Sequence, residues 1–204
     1  APAYLGRARA RLAQDAGANV RADLDDAIEK DPQLAAALLE RAAYYLRESL
    51  PEEALEDALD AGKLTPASPQ VYLLQAQALY DLQDFGEALE AAQASFNLDI
   101  TNLQTYRLLG LLHLENQNAA ESLKYLDTYT RFAPKDAQAW LAMAQAARLA
   151  GQSANRVLGH VSKALDLDDS LAQAYILRAQ VSLEQEEGQL AVNDYVAAQR
   201  LQPR

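Results

Sequence analysis

The segment Gln70–Asp81, QVYLLQAQALYD, carries two rows of side chains at helical spacing, one apolar and one of glutamine interleaved with apolar residues. Tyr72, Ala76 and Leu79 share a stripe at intervals of four and three. Gln70, Leu73, Gln77 and Tyr80 share a second stripe, well displaced around the axis at about 100° per residue. The first row predicts packing on a partner helix, and the second an additional face that pairing alone does not need. Stepping by 34 from Tyr72 gives Tyr4, Leu38, Tyr106, Trp140 and, after one extra residue, Tyr175. Small residues follow four positions later: Ala8, Ala42, Ala76, Gly110, Ala144 and Ala179. Further columns hold Val20, Ala54, Ala88, Ser122, Val157 and Ala191, then Ala27, Ala61, Ser95, Tyr129, Ala164 and Ala198. Each unit closes near Pro32, Pro66, Ile100, Pro134, Asp169 or Pro203. The pattern predicts helix pairs. Asp84-Phe-Gly-Glu87 and Asn118-Ala-Ala-Glu121 read as capping boxes, Ser68, Asn102 and Asp136 as N-caps, and Pro51 and Pro69 as first-turn prolines.

These columns resemble the tetratricopeptide repeat family, whose pattern places an aromatic, small residues, Ala and Pro at the same offsets. The resemblance covers 1–204 as six repeats, 1–34, 35–68, 69–102, 103–136, 137–171 and 172–204. It implies an all-α fold, a right-handed α-α superhelix of antiparallel helix pairs forming one array. It departs from the family at the second aromatic of the first helix, kept only as Tyr45, and by an extra residue near Ser153–Arg156. Arg7 and Arg11 stand where apolar residues are usual, so the first helix reads as partly solvated. The start at Ala1-Pro2 reads as a processed chain or a piece of a longer one. The end at Pro203-Arg204, with no solvating helix after it, reads as a chain that continues or an uncapped repeat that docks, possible self-association included.

By the same resemblance, the second stripe lines a concave groove that binds a peptide segment or a partner helix. The candidate residues are Gln70, Leu73, Gln77, Tyr80, Gln104, Arg107, Leu111, Gln138, Leu141, Gln145 and Arg148. Glutamine amides can donate to and accept from a peptide backbone, Leu and Tyr can take apolar side chains, and Arg can pair with carboxylates. Glutamine is also simply a good solvated helix former. The Lys/Asn pairs with which some members clamp a terminal carboxylate are absent, since Leu5 and Arg9, Leu39 and Ala43, and Leu73 and Gln77 occupy those positions. Two rival readings remain: a structural or self-association module using its terminal faces, and a non-catalytic, substrate-presenting arm of a larger enzyme or secretion complex.

Charge narrows the partners. The 204 residues carry a net charge of −11, which argues against nucleic acid and anionic lipid as ligands. Nine of those charges lie in repeats 2 and 3, with Glu52, Glu53, Glu56, Asp57, Asp60, Glu87 and Glu90 on second helices, read as a solvated outer side. No apolar run is long enough to cross a bilayer, so no direct membrane insertion is expected. With no cysteine the compartment stays open, the cytoplasm being favoured for a soluble domain. His113 falls in the second aromatic column and reads as packed; His160 reads as solvated. Neither has metal-ligand spacing, and Asp166–Ser170 lacks the Gly and Glu of a calcium loop. No nucleotide or nucleophile motif appears, so no cofactor and no catalysis are expected.

Overall fold

Small side chains at fixed intervals let helices approach closely, and the chain uses this throughout. The computed structural model describes residues 1–14 and 19–201; Pro203, expected to close the last repeat, lies outside them. Among the described residues the chain forms twelve α-helices and no strand. They run in pairs: α1 (Pro2–Ala13) with α2 (Val20–Lys30), α3 (Ala35–Arg47) with α4 (Pro51–Leu64), α5 (Pro69–Asp81) with α6 (Phe85–Leu98). Then come α7 (Leu103–Glu115) with α8 (Ala119–Phe132), α9 (Ala137–Leu149) with α10 (Ala154–Leu167), and α11 (Ala172–Glu184) with α12 (Gly188–Leu201). The chain divides into two compact units, Ala1–Thr105 and Tyr106–Arg204, each described by itself below.

The small-residue columns are the floor of each pair. Ala8, Ala42, Ala76, Ala144 and Ala179 have no exposed surface, nor do Ala54, Ala88 and Ser122 in the facing helices. In repeat 4 the approach leaves no room for a Cβ at the small-residue position. A Cβ on Gly110 would lie 2.6 Å from Leu126 Cγ, and the Ser122 hydroxyl donates to the Gly110 carbonyl at 2.7 Å. Larger residues fill the space between pairs: in the first unit Leu74 packs with Ala42 and Ala58, and in the second Val157, Val161 and Leu165 pack with Ala174, Leu177 and Val181. Each such aliphatic side chain, once buried, contributes about 1.5–3 kcal/mol.

Turn chemistry ends each helix where the pattern requires it. Three residues join the helices in repeats 2, 3, 4 and 6, whereas Ala150–Ser153 joins them in repeat 5, which is where the extra residue sits. Ser49, Gln83, Gln117, Gly151 and Glu186 take left-handed φ values of 57–66° in these turns. The next amide then reaches back five residues, as in Asp84 N–H to Leu79 O at 2.9 Å and Asn118 N–H to His113 O at 2.8 Å, closing the exposed helix end. Between repeats the aromatic column closes the turn behind it: Tyr72 donates to the Pro66 carbonyl at 3.2 Å and Trp140 to the Pro134 carbonyl at 2.9 Å. Asp168, in the segment with a passing likeness to a calcium loop, accepts from the Ser170 amide and hydroxyl and belongs to such a turn.

The caps divide. Asp84 accepts from Glu87 N–H, Asp136 from Ala139 N–H and Asn102 from Gln104 N–H. Ser68 and Asn118 occupy N-cap positions without a side-chain cap hydrogen bond. Pro69 in the first turn and the reach-back bond of the Asn118 amide already fix those starts.

Candidate functional site

The second stripe has a different environment at nearly every position. In the first unit, Gln70 and Gln104 are exposed and Gln77 and Tyr80 half-buried, while Tyr80 stacks obliquely on Phe85 with ring centroids 5.6 Å apart. Leu73 is 3% exposed and belongs to the core, so it offers no open pocket. A leucine on a helix packed on two sides reads the same in sequence whether it lines a groove or a core.

In the second unit, Gln138 and Gln145 are exposed, Leu111 is half-buried, and Leu141 is buried in the cluster with Ala144, Val157 and Leu177. Both arginines are engaged within the chain. Arg107 Nε donates to Asp136 Oδ2 at 2.9 Å, where the Tyr129 hydroxyl also donates at 2.9 Å. Burial opposes ionisation of Asp136, yet the Ala139 amide, Tyr129 and Arg107 outweigh it and hold the carboxyl below its ordinary value. Arg148 bonds the Gln180 side-chain oxygen and pairs with Glu184 at 2.6 Å. An incoming carboxylate would therefore have to displace one of the chain's own acceptors.

In repeats 5 and 6 the stripe opens into a cleft. There Gln145, Arg148 and Leu149 of α9 face Gln173, Ile176, Leu177 and Gln180 of α11 across a cleft of about 510 Å³. Its lining repeats the composition read from the sequence, glutamine interleaved with aliphatic residues and one arginine. A volume in this range accommodates a short run of peptide side chains. Among the described residues no group of His, Cys, Asp and Glu is arranged to hold a metal ion, and no helix is long and apolar enough to cross a membrane.

The structure also shows a set of contacts that the sequence reading missed. Three residues after the aromatic column, repeats 1, 2 and 6 carry Arg7, Arg41 and Arg178; sixteen residues further on stand Asp23, Asp57 and Asp194. Each arginine straps the first helix of its pair to the second. Arg41 grips Asp57 with Nε and Nη2, both at 2.7 Å, and reaches Asp25 with Nη1 at 2.7 Å. Arg178 grips Asp194 at 2.8 and 2.7 Å. Asp23 receives Arg7 Nε at 2.8 Å and Arg11 Nη1 at 2.5 Å. The bond from Arg7, together with Arg11, holds the buried Asp23 carboxyl below the usual carboxylate range.

One reading is refined and two are corrected. Arg7 and Arg11 are partly solvated as expected, but their heads bind a buried acid. Asp57, grouped with the solvated outer acids, is 4% exposed. His160, read as solvated, is half-buried and stacks on Trp140 with ring centroids 5.8 Å apart, and burial lowers its pKa. His113 is half-buried against Tyr125 at 5.5 Å, and burial lowers its pKa too. The signal for the straps was present as an Arg/Asp pair recurring at a fixed interval of sixteen, a column of opposite charges rather than of like residues.

Comparison with known proteins agrees with this architecture. No protein-family model matches the chain. Over 80 residues, 39% of this chain, it is 40% identical to the Protein STIP1 homolog of Dictyostelium discoideum, and the match spans 14% of that relative's length. The solved Cut9–Hcn1 hetero-tetramer of the APC/C contains a chain superposing with a TM-score of 0.84 at 17% identity, over 98% of this chain and 40% of that one. YrrB, described as a TPR protein with an unusual peptide-binding site, superposes with a TM-score of 0.70 at 17% identity, over 88% and 92% of the two chains. Six helix pairs with close-packed small-residue columns, together with these neighbours, identify the fold as that of tandem tetratricopeptide repeats.

Proposed function

We infer that the chain is a protein-interaction scaffold whose first-helix faces bind an extended peptide segment or a partner helix. The observation that carries this reading is the cleft of about 510 Å³ between α9 and α11, lined by Gln145, Arg148, Leu149, Gln173, Ile176, Leu177 and Gln180. Gln145 and Gln173 are exposed there, and an amide with unoccupied donor and acceptor atoms can satisfy a peptide backbone without reading its sequence. Leu149 and Ile176 supply apolar contact on either side. The same kind of stripe recurs as Gln70, Gln77 and Tyr80 and as Gln104, Arg107 and Leu111. In YrrB, a neighbour of similar fold, a peptide-binding site is described, which supports the same class of role here. The reading involves no catalysis, no cofactor and no nucleic acid.

The test places a photo-crosslinking residue at Ile176 in the cleft and, as a control, at exposed Lys163 on α10. Crosslinks to a partner from position 176, absent from 163 and suppressed by Gln145→Ala/Gln180→Ala, are the expected outcome. Equal crosslinking from both positions overturns the assignment to this face.

A further inference from the structure

The strap position recurs in all six repeats, and it is not filled the same way in all of them. In repeats 1, 2 and 6 a guanidinium and a carboxylate meet there. In repeats 1 and 6 the guanidinium also lies over the ring of the aromatic column, Arg7 over Tyr4 at 5.2 Å and Arg178 over Tyr175 at 5.3 Å. Repeat 4 places Leu109 and Tyr125 at the corresponding positions, with Tyr125 buried and packed edge-on against Tyr106. Repeat 5 places Met143 there, with His160 stacked on Trp140. Repeat 3 places Gln75 and Ala91. Gln75 turns away to donate to the Ala58 carbonyl at 3.2 Å, and Ala91 cannot fill the space.

The result is a cleft of about 390 Å³ at the junction of α4, α5 and α6, walled by Leu55, Leu59, Tyr72, Leu79, Glu87 and Glu90. It keeps the aromatic of a strap and lacks both the arginine and the aspartate, and the acids nearest the empty place are Glu87 and Glu90. Tyr72 is the aromatic over which the arginine lies in repeats 1 and 6. Glu87 stands one helical turn before Ala91, on the same face of α6, and Glu90 stands beside it. Neither glutamate forms a salt bridge among the described residues. Leu55, Leu59 and Leu79 give apolar walls for an aliphatic stem. Residues 69–102 contain no Lys or Arg and five acids. No cation of repeat 3 itself can therefore occupy the place.

We propose that this cleft is a second binding site, which takes an arginine side chain presented by a partner polypeptide. The guanidinium lies over Tyr72 and pairs with Glu87 and Glu90, supplying from outside the kind of contact that Arg7 and Arg178 make from within. The site uses Tyr72, Gln75 and Leu79 of α5, whereas the peptide-facing stripe of that helix is Gln70, Gln77 and Tyr80, so it goes beyond the function proposed above and does not depend on it.

The test titrates acetyl-Leu-Arg-amide into the isotopically labelled full chain and follows backbone amide shifts. Its citrulline counterpart, equal in shape and uncharged, is the control. The expected result is shifts confined to α4, α5 and α6, with the citrulline peptide binding about tenfold more weakly from the loss of the ion pair and the cation–π contact. Glu87→Gln/Glu90→Gln, two exposed changes that leave the core untouched, should remove that preference. Gln75→Arg/Ala91→Asp installs an internal strap and should abolish binding while circular dichroism shows the helices intact; should this variant fail to fold, the glutamate pair decides alone. Equal binding of the citrulline peptide, shifts outside these helices, no shift at millimolar peptide, or binding undiminished after the glutamate change each overturns the proposal.

Discussion

Repeats 1, 2 and 6 and repeats 4 and 5 solve one packing problem by different means. The first group bridges its two helices with a bidentate arginine and a largely buried aspartate. The second fills the same place with rings and aliphatic side chains, Tyr125 against Tyr106 and His160 against Trp140. A buried ion pair adds little net stability over well-packed apolar residues, because desolvating the charges offsets their attraction. What it adds is direction: a forked guanidinium accepts one placement of its carboxylate, whereas rings slide. The charged solution also tolerates more water. Arg7 keeps half of its side chain exposed while its head binds Asp23, which is 2% exposed.

Cutting a strap at one end tests this difference most severely. Arg41→Met leaves Asp57 buried without its bidentate partner and should cost about 3–5 kcal/mol in chemical denaturation. The loss should shrink to within about 1 kcal/mol when Asp57→Leu is added, because the orphaned charge is then gone. A double variant as unstable as the single one would show that the strap itself, rather than its unpaired remnant, carries the energy. In the packed group, Gly110→Ala drives a Cβ into Leu126 and should cost about 1–3 kcal/mol by the same measurement. Gln117→Gly relieves a left-handed residue in the turn of repeat 4 and should add about 1 kcal/mol.

Acid gives the mildest contrast. The folded pKa of Asp136 lies below its ordinary value, so its contribution is complete above about pH 4, the unfolded value, and fades as the pH falls through the folded one. The native chain and Asp136→Asn should therefore differ most in melting temperature near neutrality and converge below that pH. A gap that stays constant down to acid would remove Asp136 from the account.

The repeat columns were legible because like residues recur at 34: Ala42 and Ala76, Ala54 and Ala88, Tyr72 and Tyr106. Helix ends were legible where one short side chain decides them, as at Asp84 and Asp136, and less so at Asn118, where the backbone already closes the turn. The binding face was harder. Leu73 and Leu141 share the period of Gln70 and Gln138, but helices packed on two sides bury one member of the stripe and expose another. Asp57 reads as a solvated acid because one residue of charge says nothing about its partner sixteen positions earlier. Opposite charges on facing helices are a pair property, which a column-by-column reading does not display.

The reach-back turn inside repeats 2 to 6 has a kinetic consequence. In those repeats the start of the second helix is tied to the end of the first, and within the first unit the main packing runs between successive helices or helices two apart, such as α3 and α5. Few contacts then wait for distant segments to meet. A chain of such locally closed hairpins should fold on the microsecond-to-millisecond scale typical of helical proteins with short-range contacts, and stopped-flow refolding should find its fast phase largely complete within the dead time.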